Sequence, residues 1–144
     1  MSRSQDAVQC FRAGCNCSQA VLSAFAEDYD LDDALALRLA CGFGGGVGRS
    51  GSTCGAVTGA VLVIGLAEAT PDARSLDTKN RVYNLVQEFI QAFTATHRST
   101  VCRELLECDI SVPEGYMEAQ SLGLFQNRCP TYVEDAVAIL EEML

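Results

Sequence analysis

Cys54-Gly-Ala-Val-Thr-Gly-Ala-Val-Leu-Val-Ile-Gly-Leu-Ala-Glu-Ala69 is apolar on nearly every face of a helix, and it decides the fold. A helix of that kind is surrounded by other elements rather than laid on a surface. The uncharged run extends from Ser50 to Ala67, but its purely apolar part is about a dozen residues, too short to span a bilayer. Gly55 and Gly59 fall on one side, where the missing side chains let a second helix come close. The rest of the chain agrees. No strand-period alternation persists, and apolar positions recur at helical spacing nearly throughout. The expectation is an all-α fold: a multi-helix bundle of about six to seven helices around this central one, residues 1–144 forming a single domain.

Outward from the centre, Ser4 to Ala13 reads as a first helix with Ala7, Val8 and Phe11 inward, ended by Gly14. A second runs from Cys17 to Asp28, and a third from Leu31 to Cys41, started by Asp30 and directing Leu35, Leu39 and Ala40 to the core. Gly42 to Gly51 reads as a glycine-rich loop. Ser75 to Thr96 gives the longest amphipathic helix, with Val82, Leu85, Val86, Phe89, Ile90 and Phe93 on its inner stripe. Ser99 to Leu106 is a short helix, Glu107 to Arg128 mostly loop, and Pro130 to Leu144 the last helix.

Eight cysteines in 144 residues is several times ordinary usage. In a secreted chain that would suggest a disulfide framework. The opening Met1-Ser-Arg-Ser-Gln-Asp6 leads straight into an amphipathic segment with no apolar signal region, so a cytoplasmic location is expected, where such thiols bind metal or do redox chemistry. A net charge of −9 argues against nucleic acid or an anionic membrane as partner.

Four of the cysteines sit where a helix should begin. Cys17 follows Asn16, with Gln19 completing a capping pattern. Cys54 follows Ser52-Thr53, Cys102 lies three residues after Ser99, and Cys129 precedes Pro130. Unpaired N–H groups and a partial positive charge at a helix start lower a thiol's pKa and favour bound anions. Five of the ten basic residues, Arg12, Arg49, Arg98, Arg103 and Arg128, lie within five positions of one of these cysteines. Two readings stand: arginines on ordinary surface turns, or charges that offset thiolates or an anionic cluster. Of the other cysteines, Cys10, Cys41 and Cys108 read as small buried hydrophobes. Cys15 lies two residues from Cys17, close enough to serve as a resolving thiol.

The order Phe11-x-x-Gly14-x-x-Cys17-Ser-Gln-Ala-Val-Leu, Gly42-Phe-Gly-Gly-Gly46, Cys54-Gly-Ala-Val-Thr-Gly59, then isolated Cys102 and Cys129, resembles the redox-active family named for its C-GCAxxG-C-C pattern. The resemblance covers essentially the whole chain and implies that Cys17, Cys54, Cys102 and Cys129 are the working set. Some members are similar to the non-haem part of split-Soret cytochromes, which implies a cysteine-bound iron centre. This chain has no Cys-x-x-Cys-His, so no haem is expected.

Other motifs fall away. Gly46-Val-Gly-Arg-Ser-Gly51 matches a dinucleotide fingerprint but follows a helix rather than a strand, and Ser52 stands where a phosphate loop needs lysine. His97, the one histidine, reads as a C-terminal helix cap, and Glu141-Glu142 lie on a solvated face.

Three functions remain. In the first, Cys17, Cys54, Cys102 and Cys129 hold an iron–sulfur cluster, of the two-iron kind, for electron transfer. Gly55 N–H, Arg49 and Arg103 would then stabilise the anionic centre. In the second, a metal-free thiol–disulfide oxidoreductase, Cys54 is the nucleophile and Cys17 its resolving partner. In the third, the same four sulfurs hold structural zinc. The expected partner is a redox protein or a small thiol or disulfide, and the apolar content allows a homodimer.

Overall fold

The computed structural model describes residues 2–144. Helix α1 (Arg3–Arg12) starts at Ser2, whose side chain accepts from Gln5 N while Gln5 caps back, and ends at Ala13 with Gly14 at φ 118°. Helix α2 (Cys17–Ala26) has the capping box legible in its sequence. Asn16 Oδ1 accepts from Gln19 N at 2.9 Å, and Gln19 Oε1 accepts from Asn16 N at 2.8 Å. A 3-10 turn, Glu27–Tyr29, follows, and Asp30 turns left-handed at φ 56°.

Helix α3 (Asp33–Ala40) is therefore capped by Asp32, not Asp30, and begins two residues later than Leu31. Leu35 and Leu39, expected inward, point outward at 42% and 52% exposure; Ala36 and Ala40 face the core instead. The inward face of α3 is built from small residues, which hydrophobicity alone does not reveal.

Helix α5 (Gly55–Glu68) is the central element. Ala56, Val57, Ala60, Val63 and Ile64 are all at most 1% exposed, and α2, α6 and α10 surround it. Helix α6 (Leu76–His97) is capped by Ser75 and buries Phe89 and Phe93; Ile90, expected on the inner stripe, is exposed. After α7 (Cys102–Leu106) the segment expected to be mostly loop contains two helices, α8 (Pro113–Ser121) and α9 (Leu124–Asn127). Pro113 at the helix start and the buried pair Gly115 and Ala119 mark α8. Helix α10 (Cys129–Met143) closes the chain and packs on α1, α2, α5 and α6.

The fold is all-α; among the described residues no strand forms, and an isolated bridge pairs Thr53 with Val101. No helix among them is long and apolar enough to cross a membrane.

The glycine-rich stretch is not a loose loop. After a 3-10 turn, Cys41–Phe43, the short turn α4 (Gly44–Val47) enters a run of five consecutive residues, Gly45 to Arg49, with φ between 60° and 68°. Glycine adopts this conformation without penalty, whereas Val47, a β-branched residue, does so at a cost. Long-reach hydrogen bonds fasten the turn: Gly51 N to Gly45 O at 3.1 Å, Ser52 N to Gly46 O at 2.8 Å, and Ser50 Oγ to Gly46 O at 2.7 Å.

Candidate cysteine centre

Close backbone approach brings four distant segments together. Cys54 N donates to Thr100 O at 2.8 Å and Cys102 N donates to Ser52 O at 2.6 Å, on either side of the Thr53–Val101 bridge. This short antiparallel pairing, rather than capping by Ser52-Thr53 or Ser99, sets the starts of α5 and α7. Cys54 itself is the N-cap residue of α5. Ser99 Oγ instead accepts from Val101 N at 2.9 Å and donates to Glu104 at 2.6 Å.

Glycines fix the remaining approaches. A side chain at Gly55 would stand 2.9 Å from Cys17 Cβ and 2.9 Å from Ser18 N, so α2 can lie against α5 only because residue 55 lacks one. At Gly46, φ 66°, a Cβ would stand 2.6 Å from that of Cys102. Cys129 arrives at the first position of α10, anchored by Tyr132, whose hydroxyl donates to Leu105 O at 3.0 Å.

All four expected cysteines line one cleft of ≈ 1000 Å³, with Cys15 and Cys41 also on its wall. Cys54, Cys102 and Cys129 are buried and Cys17 is half-buried. The cleft wall opposite comes from the two helices missed in the sequence: Tyr116 and Gln120 of α8 and Phe125 of α9, with the Tyr116 and Phe125 rings 5.4 Å apart. Residues 107–128 therefore cover the site.

The thiols influence one another strongly. Hydrogen bonding toward Cys129, then toward Cys54, holds the Cys17 proton well above the ordinary thiol range, and burial adds to this. Cys54 moves the other way. Its sulfur makes no short capping bond, yet the Cys17 thiol lowers its pKa most, and the N–H groups of Ala56 and Val57 add to the effect against the opposing cost of burial. Gly55 contributes the space rather than one of these N–H groups. Cys102 is pushed up to about 12, by burial first and then by the nearby Cys54 and Cys129, with Arg103 partly offsetting them.

The five arginines divide. Arg12 and Arg49 line the cleft, Arg49 lying with its guanidinium 4.5 Å over the Tyr116 ring. Arg103 acts on Cys102 from the α7 start. Arg128 instead donates to Leu105 O at 3.1 Å and faces Glu107, and Arg98 is the left-handed residue that ends α6, away from the cleft lining. His97 sits in the last turn of α6 but is not its cap, which is Arg98; its Nε2 lies 2.7 Å from Asp135 while its ring packs on Phe93 and Tyr132.

Two other cysteines depart from the small-hydrophobe reading. Cys41 is exposed, and Cys10 forms a disulfide with Cys15 across the end of α1, with Cα atoms 5.5 Å apart. The sequence placed Cys15 beside Cys17; its actual bond goes back across Gly14, which turns the chain. Cys108 is buried, as expected, its thiol donating to Gly115 O at 3.0 Å.

Four soft sulfur donors suit iron or zinc by chemistry. Among the described residues no three His, Cys, Asp or Glu side chains are disposed to hold a metal ion.

A family model described as "Putative redox-active protein (C_GCAxxG_C_C)" matches residues 15–143, a span that includes Cys17, Cys54, Cys102 and Cys129. No curated protein and no solved structure matches the chain.

Proposed function

The chain belongs to the C_GCAxxG_C_C family, and we propose that it is a thiol–disulfide redox protein with Cys54 as attacking thiolate and Cys17 as resolving thiol. One observation carries this reading: Cys54 stands at the N-cap of the buried helix α5, on the cleft, with Cys17 brought against it where Gly55 lacks a side chain, and that setting lowers the Cys54 pKa. A buried thiol lowered against its own desolvation is the mark of a nucleophile.

The chemistry takes two exchanges. Cys54 thiolate attacks one sulfur of a small disulfide in the cleft and expels the other as thiolate. The mixed disulfide no longer carries the Cys54 charge, so part of what held the Cys17 proton is gone. Cys17 passes that proton to the departed thiolate and attacks Cys54 Sγ, releasing the second half of the substrate as a thiolate that takes its proton from solvent, and leaving a Cys17–Cys54 bond. Two thiols are oxidised and one disulfide is reduced. Cys102, with its raised pKa, stays a neutral wall of the cleft. Arg12 and Arg49 favour substrates bearing carboxylates.

A second reading has its own support, the convergence of four cysteine sulfurs on one cleft. Cys17, Cys54, Cys102 and Cys129 would hold an iron–sulfur cluster, which supplies one-electron transfer, or a zinc ion, which supplies rigidity. In either case the Cys17 thiol gives up its proton to become a ligand.

The two separate in one preparation. Protein made without oxygen is assayed for iron, zinc and visible absorption, then mixed with an aromatic disulfide that releases a coloured thiolate. Colourless, metal-free Cys41→Ser protein with its Cys10–Cys15 bond intact that releases about two thiols per chain, a reaction lost when Cys54→Ser is added, supports the thiol reading. Stoichiometric metal with brown colour and slow thiol release overturns it in favour of the cluster.

A further inference from the structure

We propose that the Cys10–Cys15 disulfide is a second redox centre that exchanges its bond with the Cys17–Cys54 pair, moving electrons between the outer end of the cleft and its buried floor. The inference rests on the thiol reading above and extends it to two cysteines outside the family pattern, Cys10 lying outside the matched residues altogether.

Placement carries the argument. Cys10 lies in the last turn of α1, and Cys15 N donates to Cys10 O at 3.0 Å, so the pair is drawn together across the exposed turn at residues 12–14. Cys15 and Cys17 both line the cleft, separated only by Asn16. That residue is held firmly. Its side chain accepts from Gln19 N and donates from Nδ2 to Cys41 O at 2.9 Å, which keeps both neighbouring sulfurs on the same cavity. A disulfide here has little to do as a staple. The loop it closes is short, a sequence separation of 5, where cross-linking gains little, and the α1 C-terminal hydrogen bonds already hold that turn.

The exchange balances within the chain. Starting from a Cys17–Cys54 bond, Cys15 thiolate attacks Cys17 Sγ and expels Cys54 as thiolate, the form its surroundings favour. Cys10 thiolate then attacks Cys15 Sγ, closes the Cys10–Cys15 bond, and expels Cys17, which takes up a proton. The inner pair gains the two electrons that the outer pair loses. The state seen here, with the outer pair bonded and Cys17 and Cys54 free, is the end of that transfer. An external thiol would restore the outer pair from the exposed turn.

The test follows one bond through time. Fully reduced protein, free of oxygen, receives one equivalent of an aromatic disulfide, is quenched with an alkylating agent at intervals, and is mapped by mass spectrometry of its peptides. The expected course is a Cys17–Cys54 bond that decays as Cys10–Cys15 appears, with no further oxidant consumed. In Cys10→Ser the bond should stop at Cys17–Cys54 or Cys15–Cys17. In Cys17→Ser the outer bond should form at least about tenfold more slowly. A Cys17–Cys54 bond that persists in the unaltered chain overturns the relay and leaves the thiol reading standing, as does an outer bond that forms equally fast in Cys17→Ser. Failure of Cys54 to release the coloured thiol in the first place defeats the thiol reading itself.

Discussion

Replacing Gly55 with alanine should separate the two sulfurs on which the account depends, and Gly65 in the same helix supplies the control. Gly65 lies within α5, where alanine for glycine ordinarily stabilises by about 0.5–1 kcal/mol, whereas Gly55 is the first residue of that helix. At Gly65 nothing stands within 4 Å of the new methyl, so Gly65→Ala should keep that gain. At Gly55 the methyl would meet Cys17 Cβ and the Ser18 backbone nitrogen, each at 2.9 Å. A side-chain tip can rotate away, but a backbone nitrogen cannot, so the start of α2 must move. Overpacking of this kind costs about 1–3 kcal/mol, and a domain of this size shifts its Tm by about 2–4 °C per kcal/mol. Thermal unfolding followed by circular dichroism should show Gly65→Ala melting a few degrees higher than the parent and Gly55→Ala several degrees lower. The second readout is chemical. Withdrawing Cys17 from Cys54 removes the largest influence lowering the Cys54 pKa, so its alkylation midpoint should climb toward 9.0, the ordinary value. Equal Tm shifts for the two variants, or an unmoved Cys54 midpoint in folded Gly55→Ala, would refute the reasoning.

Cys17→Ala removes the same thiol without moving the backbone. Its effect on the Cys54 alkylation midpoint should be upward and at least as large, whereas Cys41→Ala should leave it where it was. Stability should also respond to alkaline pH through Cys102. Its folded pKa of about 12 lies above the ordinary 9.0, so its contribution is complete below pH 9 and is lost as pH rises from 9 toward 12. Urea titrations across that range should show a decline that Cys102→Ser lessens, the raised Cys17 and Cys108 supplying the remainder. Cys54 acts in the opposite sense, its contribution being complete above pH 9 and lost as pH falls through its lowered folded value. Finally, Val47 holds φ 68°, a strained choice for a β-branched residue. Val47→Gly should gain up to about 1 kcal/mol, the strain of about 1–2 kcal/mol relieved less the flexibility glycine adds to the unfolded chain. A lower Tm for that variant would show that the left-handed turn is held by something other than its backbone.

The central helix was legible because its composition leaves no other placement. The helix start with its side-chain cap at Asn16 and Gln19 was legible for a local reason: the cap and the groups it satisfies lie within three residues. The start of α3 misled because Asp30 and Asp32 both suit a cap, and only the left-handed turn at Asp30 separates them. Helices α8 and α9 were missed because a short helix whose buried positions are Gly115 and Ala119 leaves a weak hydrophobic signal. At the cysteine centre, the sequence placed thiols at helix starts for local reasons, while their meeting depends on long-range events. The Thr53–Val101 bridge joins residues 48 apart in the chain, and the contact of residue 55 with Cys17 spans 38. Gly55 and Gly46 carried the signal, in that a missing side chain marks a place where another segment must arrive. The Cys10–Cys15 bond was hidden for the opposite reason, since Cys15 has a nearer sulfur neighbour along the chain than the one it bonds.

The measurement that bears most directly on the meeting of Cys17 and Cys54 is capture by phenylarsine oxide, whose arsenic bridges thiols only when their sulfurs are adjacent. One arsenic per chain is expected, with Cys17 and Cys54 protected together from later alkylation. Full alkylation of both cysteines after treatment, in protein that remains folded, would contradict it.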